Sequence, residues 1–203
     1  MPVVSGSSGR ELATSLAGVL GMEHVSLESR KFPDGEGYVR VPRESFEQIR
    51  SEPVILVSNT YPDSGIMRTI LLLEAISDVR RGDLSNYRGV EPQKLDDVGP
   101  GIYLAIPYFG YARQDKRFSP GEAVSARVIA DIMGRICDGI VILDLHEPKV
   151  LADMSVPVKF VSSMPEIADL LGMESKPDFI LSPDKGAISR ASEVAALMGC
   201  EFS

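Results

Sequence analysis

The sequence predicts an α/β fold in which mainly parallel sheets are flanked by helices. Residues 102–106, 139–143 and 179–182 are short, continuously apolar runs, the pattern of strands buried on both faces of a parallel sheet. Amphipathic stretches of helical period alternate with these runs, as βαβ units require. The third observation is where the polar motifs fall. They follow the apolar runs directly, at the carboxyl ends of strands, where open α/β sheets place their chemistry.

Taken in order, residues 2–5 predict a strand and Gly6-Ser7-Ser8-Gly9 a turn into a helix over 11–20. On that helix Leu12, Leu16, Val19 and Leu20 form the apolar face, and Gly21 is its stop. A glycine-serine turn can present N–H groups to an anion, but no Gly-Lys-Ser/Thr follows, so tight packing is the reading. Phe32-Pro33-Asp34-Gly35-Glu36 is a turn leading into an alternating strand through Val41. Residues 53–58 predict a buried strand, and residues 66–79 an apolar helix with Met67, Ile70, Leu71 and Leu73 at helical spacing. No function is assigned to the loop 59–65. Residues 80–101 form a polar connector, read as a surface insertion because links of this length are uncommon inside a domain.

The strand 102–106 opens into Tyr108-Phe109-Gly110-Tyr111-Ala112-Arg113-Gln114-Asp115-Lys116-Arg117-Phe118. Guanidinium groups grip phosphate oxygens in a bidentate way, and rings or an amide can hold a base. A solvated charged turn with its rings in the core is the competing reading of the same residue types. A helix over 123–135 follows, with Val124, Val128, Ile129 and Ile132 inward. The strand 139–143 delivers Asp144-Leu145-His146 to its carboxyl end. Residues 157–161 begin a second unit, with a helix over 165–171, the strand 179–182, Pro183-Asp184-Lys185-Gly186-Ala187 and a helix over 188–198.

The run from Tyr108 to Asp115 closely resembles the ATP-binding signature of ribose-phosphate diphosphokinases, the phosphoribosyl pyrophosphate synthetases. The resemblance implies two phosphoribosyltransferase-type domains, 1–155 and 156–203, the second incomplete. It implies transfer of the diphosphoryl group of ATP to ribose 5-phosphate, giving phosphoribosyl diphosphate and AMP for nucleotide biosynthesis. Arg113 and Gln114 would contact ATP. Phe32 would stack on adenine, with Asp34, Gly35 and Glu36 completing the nucleotide contact. In the family this turn serves a neighbouring subunit, so a homo-oligomer, a dimer or multiple of dimers, is expected. His146 and Asp184 match family ligands of Mg2+, the implied cofactor. After His146 the chain reads Glu147-Pro148-Lys149-Val150, where the family has a glutamine and bulky aromatics.

The family's catalytic lysine-arginine loop and its acidic ribose 5-phosphate loop follow the strand at which this sequence stops. The resemblance thus covers all 203 residues and about the first two-thirds of a member. A fragment and a protein without that machinery are both open, the end at a protease-sensitive loop favouring the first. The 203-residue chain is expected to be inactive by itself, its catalytic residues unknown. A non-catalytic associated subunit is the alternative, disfavoured by retention of the metal and ATP residues. A type I phosphoribosyltransferase ranks below both, since that class has no equivalent of residues 108–115.

A net charge of −8 argues against nucleic-acid or anionic-membrane partners, which call for a basic face. With 44% hydrophobic and 25% charged residues a packed core is expected rather than disorder. Cys137 and Cys200 lack metal-ligand spacing and read as reduced thiols, so a cytoplasmic protein is expected. No apolar run reaches membrane-spanning length.

Overall fold

The strands in chain order are β1 (Val3–Ser5), β2 (His24–Ser26), β3 (Glu28–Lys31), β4 (Gly37–Arg40), β5 (Val54–Val57), β6 (Ile102–Ile106), β7 (Gly139–Leu143), β8 (Val158–Val161), β9 (Phe179–Ile180) and β10 (Glu201–Phe202). The helices are α1 (Arg10–Leu20), α2 (Phe46–Ser51), α3 (Asp63–Arg81), α4 (Ser125–Gly134), α5 (Met164–Glu174) and α6 (Ile188–Met198). They come from a computed structural model that describes residues 1–82, 100–174 and 177–203. The chain divides into two units, Met1–Phe160 and Val161–Ser203.

In the first unit a six-stranded sheet runs in the order β2-β1-β5-β6-β7-β8. The pairs β1–β2, β1–β5, β5–β6 and β6–β7 are parallel, with Val4 opposite Leu56, and Leu104 opposite Ile140. One face is closed by α3 and α4. There Val4, Leu56, Leu104, Ile140 and Ile142 pack with Leu72, Leu73, Ile76, Ile129 and Met133 in one core. Each fully buried Leu or Ile contributes about 1.5–3 kcal/mol relative to exposure. On the opposite face α1 lies over β1 and β5 through Ala13, Ala17, Val3 and Val57. The start of α1 leans directly on β5. A Cβ at Gly9 would stand 2.3 Å from the Val57 carbonyl oxygen, so only glycine fits.

The mainly parallel α/β architecture matches the expectation, and several details correct it. The buried residues of α1 are Ala13 and Ala17, whereas Leu12, Val19 and Leu20 are exposed. On α4, Ala126, Ile129, Ala130 and Met133 face inward, and Val128 and Ile132 are exposed. On α1 small residues take the inner face because they let the helix axis approach the sheet, and on α4 Ala126 and Ala130 share it with Ile129 and Met133. Helix α3 is longer than expected at both ends, and Met67 is exposed. Residues 157–161, expected to open the second unit, supply the edge strand β8 of the first sheet. β2, β3 and α2 have weak local signals and are not among the expected elements. Of the connector 80–101, residues 83–99 lie outside the described residues.

The hairpin β3–β4 forms its own two-stranded antiparallel sheet. In the second unit β9 and β10 pair in parallel, and Met164 and Ala168 of α5 pack with Val194 of α6. The expected buried strand over 179–182 is only Phe179–Ile180, and Phe179 and Leu181 are exposed. Among the described residues no helix is long and apolar enough to cross a membrane.

Candidate functional site

β1 runs through α1 to β2 on one side of the sheet, and β5 leads to β6 and β7 on the other. The order therefore reverses between β1 and β5, the position at which open α/β sheets form a ligand crevice beyond the carboxyl ends of their strands. A cavity of about 560 Å³ opens there, lined by Ser7, Ser8, Gly9, Arg10, Asn59 and Pro107. Pro107 is also the root of the aromatic and cationic loop that leaves β6.

That loop is seated on the segment following β5. Thr60 is buried, and its hydroxyl oxygen accepts from the Gly110 N–H at 2.8 Å while donating to the Tyr108 carbonyl at 3.2 Å. The Thr60 N–H donates to the same carbonyl at 3.2 Å. A Cβ at Gly110 would lie 2.1 Å from the Thr60 carbonyl oxygen, so the two backbones touch only because residue 110 is glycine. Phe109 enters the main core. Tyr111 has φ 62°, in the left-handed region that non-glycine residues rarely occupy. Its hydroxyl donates to Asp63 Oδ1 at 2.8 Å, and this bond, reinforced by the Asp63 charge, raises the Tyr111 pKa above its ordinary value.

Sequence reasoning gave the 59–65 loop no role, yet Thr60 and Asp63 hold the signature loop. One signal could have found them. β5 and β6 are adjacent parallel strands, so the loops at their carboxyl ends must meet.

The cations of the loop separate by their partners. Arg117 Nε donates to the Glu122 carbonyl at 2.8 Å, and the Lys116 ammonium lies 5.4 Å from the Phe118 ring centroid. Arg113 is exposed and has no hydrogen bond or ion pair among the described residues. Gln114 is fixed by its N–H to Tyr111 O at 2.9 Å, and its carbonyl accepts from the Ala126 N–H at 3.3 Å, tying the loop to α4.

His146 follows β7, just beyond Asp144, whose φ is 50°. Its Nδ1 lies 2.9 Å from Asp115 Oδ2, joining the β7 loop to the signature loop. The Asp115 side chain is 7% exposed and that of His146 45%. A carboxylate on one imidazole nitrogen sets the ring's orientation and leaves Nε2 available, the arrangement common to metal-binding histidines. Among the described residues no group of three or more His, Cys, Asp or Glu converges to hold an ion. A magnesium ion fits such a sparse donor set, since it keeps several waters and takes phosphate oxygens.

Asp184 belongs to the second unit and is exposed. Its Oδ1 accepts from the Ala187 N–H at 3.0 Å, closing the turn before α6, whose N-cap is Ala187 and has no side-chain cap bond.

Phe32, Asp34, Gly35 and Glu36 sit at the tip of the β3–β4 hairpin. The Phe32 N–H donates to Glu36 O at 2.9 Å, the Gly35 N–H donates to Phe32 O at 2.9 Å, and Asp34 Oδ1 accepts from the Glu36 N–H at 3.0 Å. Among the described residues no hydrogen bond or ion pair links 32–36 to the signature loop.

Comparison with known proteins gives a consistent assignment. Residues 1–81 and 100–136 match the family described as the N-terminal domain of ribose phosphate pyrophosphokinase. The match leaves out 82–99, within the connector read from the sequence as an insertion. The chain is 36% identical over 201 residues to a ribose-phosphate pyrophosphokinase of Methanothermobacter thermautotrophicus, covering 98% of this chain and 62% of that protein. It is 34% identical over 203 residues to the same-named protein of Methanobrevibacter smithii, covering 98% and 60%. The chain thus spans about three fifths of the length of these curated relatives. The crystal structure of phosphoribosylpyrophosphate synthetase from Mycobacterium smegmatis superposes with a TM-score of 0.76 at 23% identity, over 98% of this chain and 62% of that one, a likeness of fold.

Proposed function

The chain belongs to the ribose-phosphate pyrophosphokinase family through its N-terminal domain, and from that premise we propose that it takes part in transferring the diphosphoryl group of ATP to ribose 5-phosphate. The anomeric hydroxyl oxygen attacks the β-phosphorus, the bond to the oxygen bridging to the α-phosphate breaks, and AMP leaves as the hydroxyl proton is lost. Such transfers depend on alignment and on neutralising phosphate charge.

The observation that carries this reading is the Arg113 guanidinium, without a partner among the described residues, on a loop locked by Thr60 and Asp63 that also carries the Asp115 side chain bonded to His146. Arg113 would bridge two phosphate oxygens, and Gln114 would orient the nucleotide. His146 would hold magnesium, which when bound supplies charge neutralisation at the phosphates. Asp115 keeps the His146 ring in place. Phe32, Asp34, Gly35 and Glu36 would meet the nucleotide at a neighbouring copy's site, which accords with the absence, among the described residues, of polar links from the hairpin tip to its own signature loop. A homo-oligomer follows. A cytoplasmic setting agrees with the free thiols Cys137 and Cys200, and recovery of the protein from an oxidising compartment would count against it.

Titration of an ATP analogue with magnesium, at several protein concentrations and alongside sedimentation, tests the reading. Saturable binding that strengthens as the protein assembles is expected. A folded protein that fails to bind the analogue sinks the nucleotide site, and tight binding by a demonstrated monomer sinks the shared one.

A further inference from the structure

Phe32 stands 39% exposed just beyond β3, on a hairpin whose residues Arg30 and Tyr38 lie directly opposite each other. The Arg30 guanidinium carbon is 4.1 Å from the Tyr38 ring centroid and 5.0 Å from that of Phe32. The two rings meet edge to face, with centroids 5.6 Å apart and planes at 78°. A guanidinium over a ring is attracted by the negative face of its π-system, and here one cation engages two rings.

Arg30 is itself held. Its Nε lies 3.4 Å from Glu28 Oε1, and Arg40 Nε forms an ion pair with Glu28 Oε2 at 2.8 Å. Glu28 and Arg40 are also cross-strand partners. The series Arg40, Glu28, Arg30, Tyr38, Phe32 therefore runs from the strands out to the exposed ring.

We propose that Arg30 and Tyr38 are positioning residues that hold the Phe32 ring as a one-sided stacking platform for the base of the nucleotide. The inference rests on the reading above that Phe32 meets the base. With Arg30 over one face of Phe32, a base takes the other. An exposed phenylalanine without such support loses rotamer freedom when a base stacks on it, whereas a ring already fixed loses less. Every base has a π-face, so the platform separates nucleotides from bare polyphosphate rather than one nucleotide from another. Arg30 directs its charge at two rings and Glu28, which distinguishes it from Arg113, which has no partner among the described residues.

The test titrates magnesium-ATP and magnesium tripolyphosphate into the wild-type chain and into Arg30→Gln, Tyr38→Thr and Tyr38→Phe. Wild type should prefer ATP. Arg30→Gln and Tyr38→Thr should each weaken ATP roughly three- to tenfold and leave tripolyphosphate unchanged. Tyr38→Phe, which keeps the ring, should match wild type, and thermal midpoints close to wild type exclude a collapsed hairpin. Unchanged ATP affinity in Arg30→Gln and Tyr38→Thr overturns the inference alone. Equal losses for the two ligands make Arg30 a phosphate contact and also overturn it. A wild-type chain that binds both ligands equally removes the stacking role of Phe32, and one that binds neither removes the nucleotide site, the inference falling with each.

Discussion

His146 Nδ1 lies 2.9 Å from Asp115 Oδ2, so a residue of the signature loop sets the orientation of a histidine delivered by the next strand. The pair joins the nucleotide loop to the candidate metal ligand across 31 positions of sequence. Partners of this kind typically matter about 10–100-fold in metal affinity. Asp115→Asn should therefore weaken magnesium-dependent binding of an ATP analogue about 10–100-fold and leave metal-free binding near wild type. Calorimetry with and without magnesium reads both. An unaltered magnesium dependence would mean that His146 is oriented without Asp115.

Arg113 and Lys116 should differ sharply although both are cations of one loop. Lys116 is engaged with Phe118, while Arg113 has no partner among the described residues. A hydrogen bond to a charged group contributes about 1.5–3 kcal/mol, so Arg113→Ala should weaken the ATP analogue roughly 10–150-fold. Lys116→Ala should change it less than about threefold. Equal affinities for the two variants would remove Arg113 from the phosphate site.

Gly110→Ala should disturb both stability and binding, because its Cβ would be driven to 2.1 Å from the Thr60 carbonyl. Overpacking of this kind costs about 1–3 kcal/mol, or roughly 2–12 °C in a domain of this size. Thr60→Val keeps the shape but strands the buried Gly110 N–H, at a similar cost of about 1–3 kcal/mol. Thermal melts of both variants check this. A Gly110→Ala protein that melts like wild type would show that the loop seats elsewhere.

Stability should fall with acid through His24. Its Nε2 is 2.9 Å from the buried Ser5 hydroxyl, and burial, with a smaller effect of the Arg10 charge, lowers its pKa below 6.5. The unfolded chain then binds the proton first. The contribution of neutral His24 is complete above about pH 6.5 and is lost as pH falls through the lowered native pKa. Melting midpoints between pH 7 and pH 5 should decline less steeply in His24→Gln than in wild type. Parallel declines would assign the acid sensitivity to other groups.

The sequence alone determined the fold class, several strands and helices, and the family, because these depend on local pattern. β6, β7 and α6 are read residue for residue, since continuous apolar runs and helical periods are contained within single segments. The signature loop is likewise contiguous, so Arg113 and Gln114 can be nominated without a structure, and His146 by its place just after β7. The remaining features depend on contacts between segments. Thr60 and Asp63 hold the loop through β5–β6 adjacency, and Asp115 meets His146 because β6 and β7 are neighbours. The inner faces of α1 and α4 belong to the same class. On α1 Ala13 and Ala17 face the sheet although its leucines are more hydrophobic, and on α4 Ala126 and Ala130 share the inner face with Ile129 and Met133; close packing against the sheet decides this and has no signature within the helix itself.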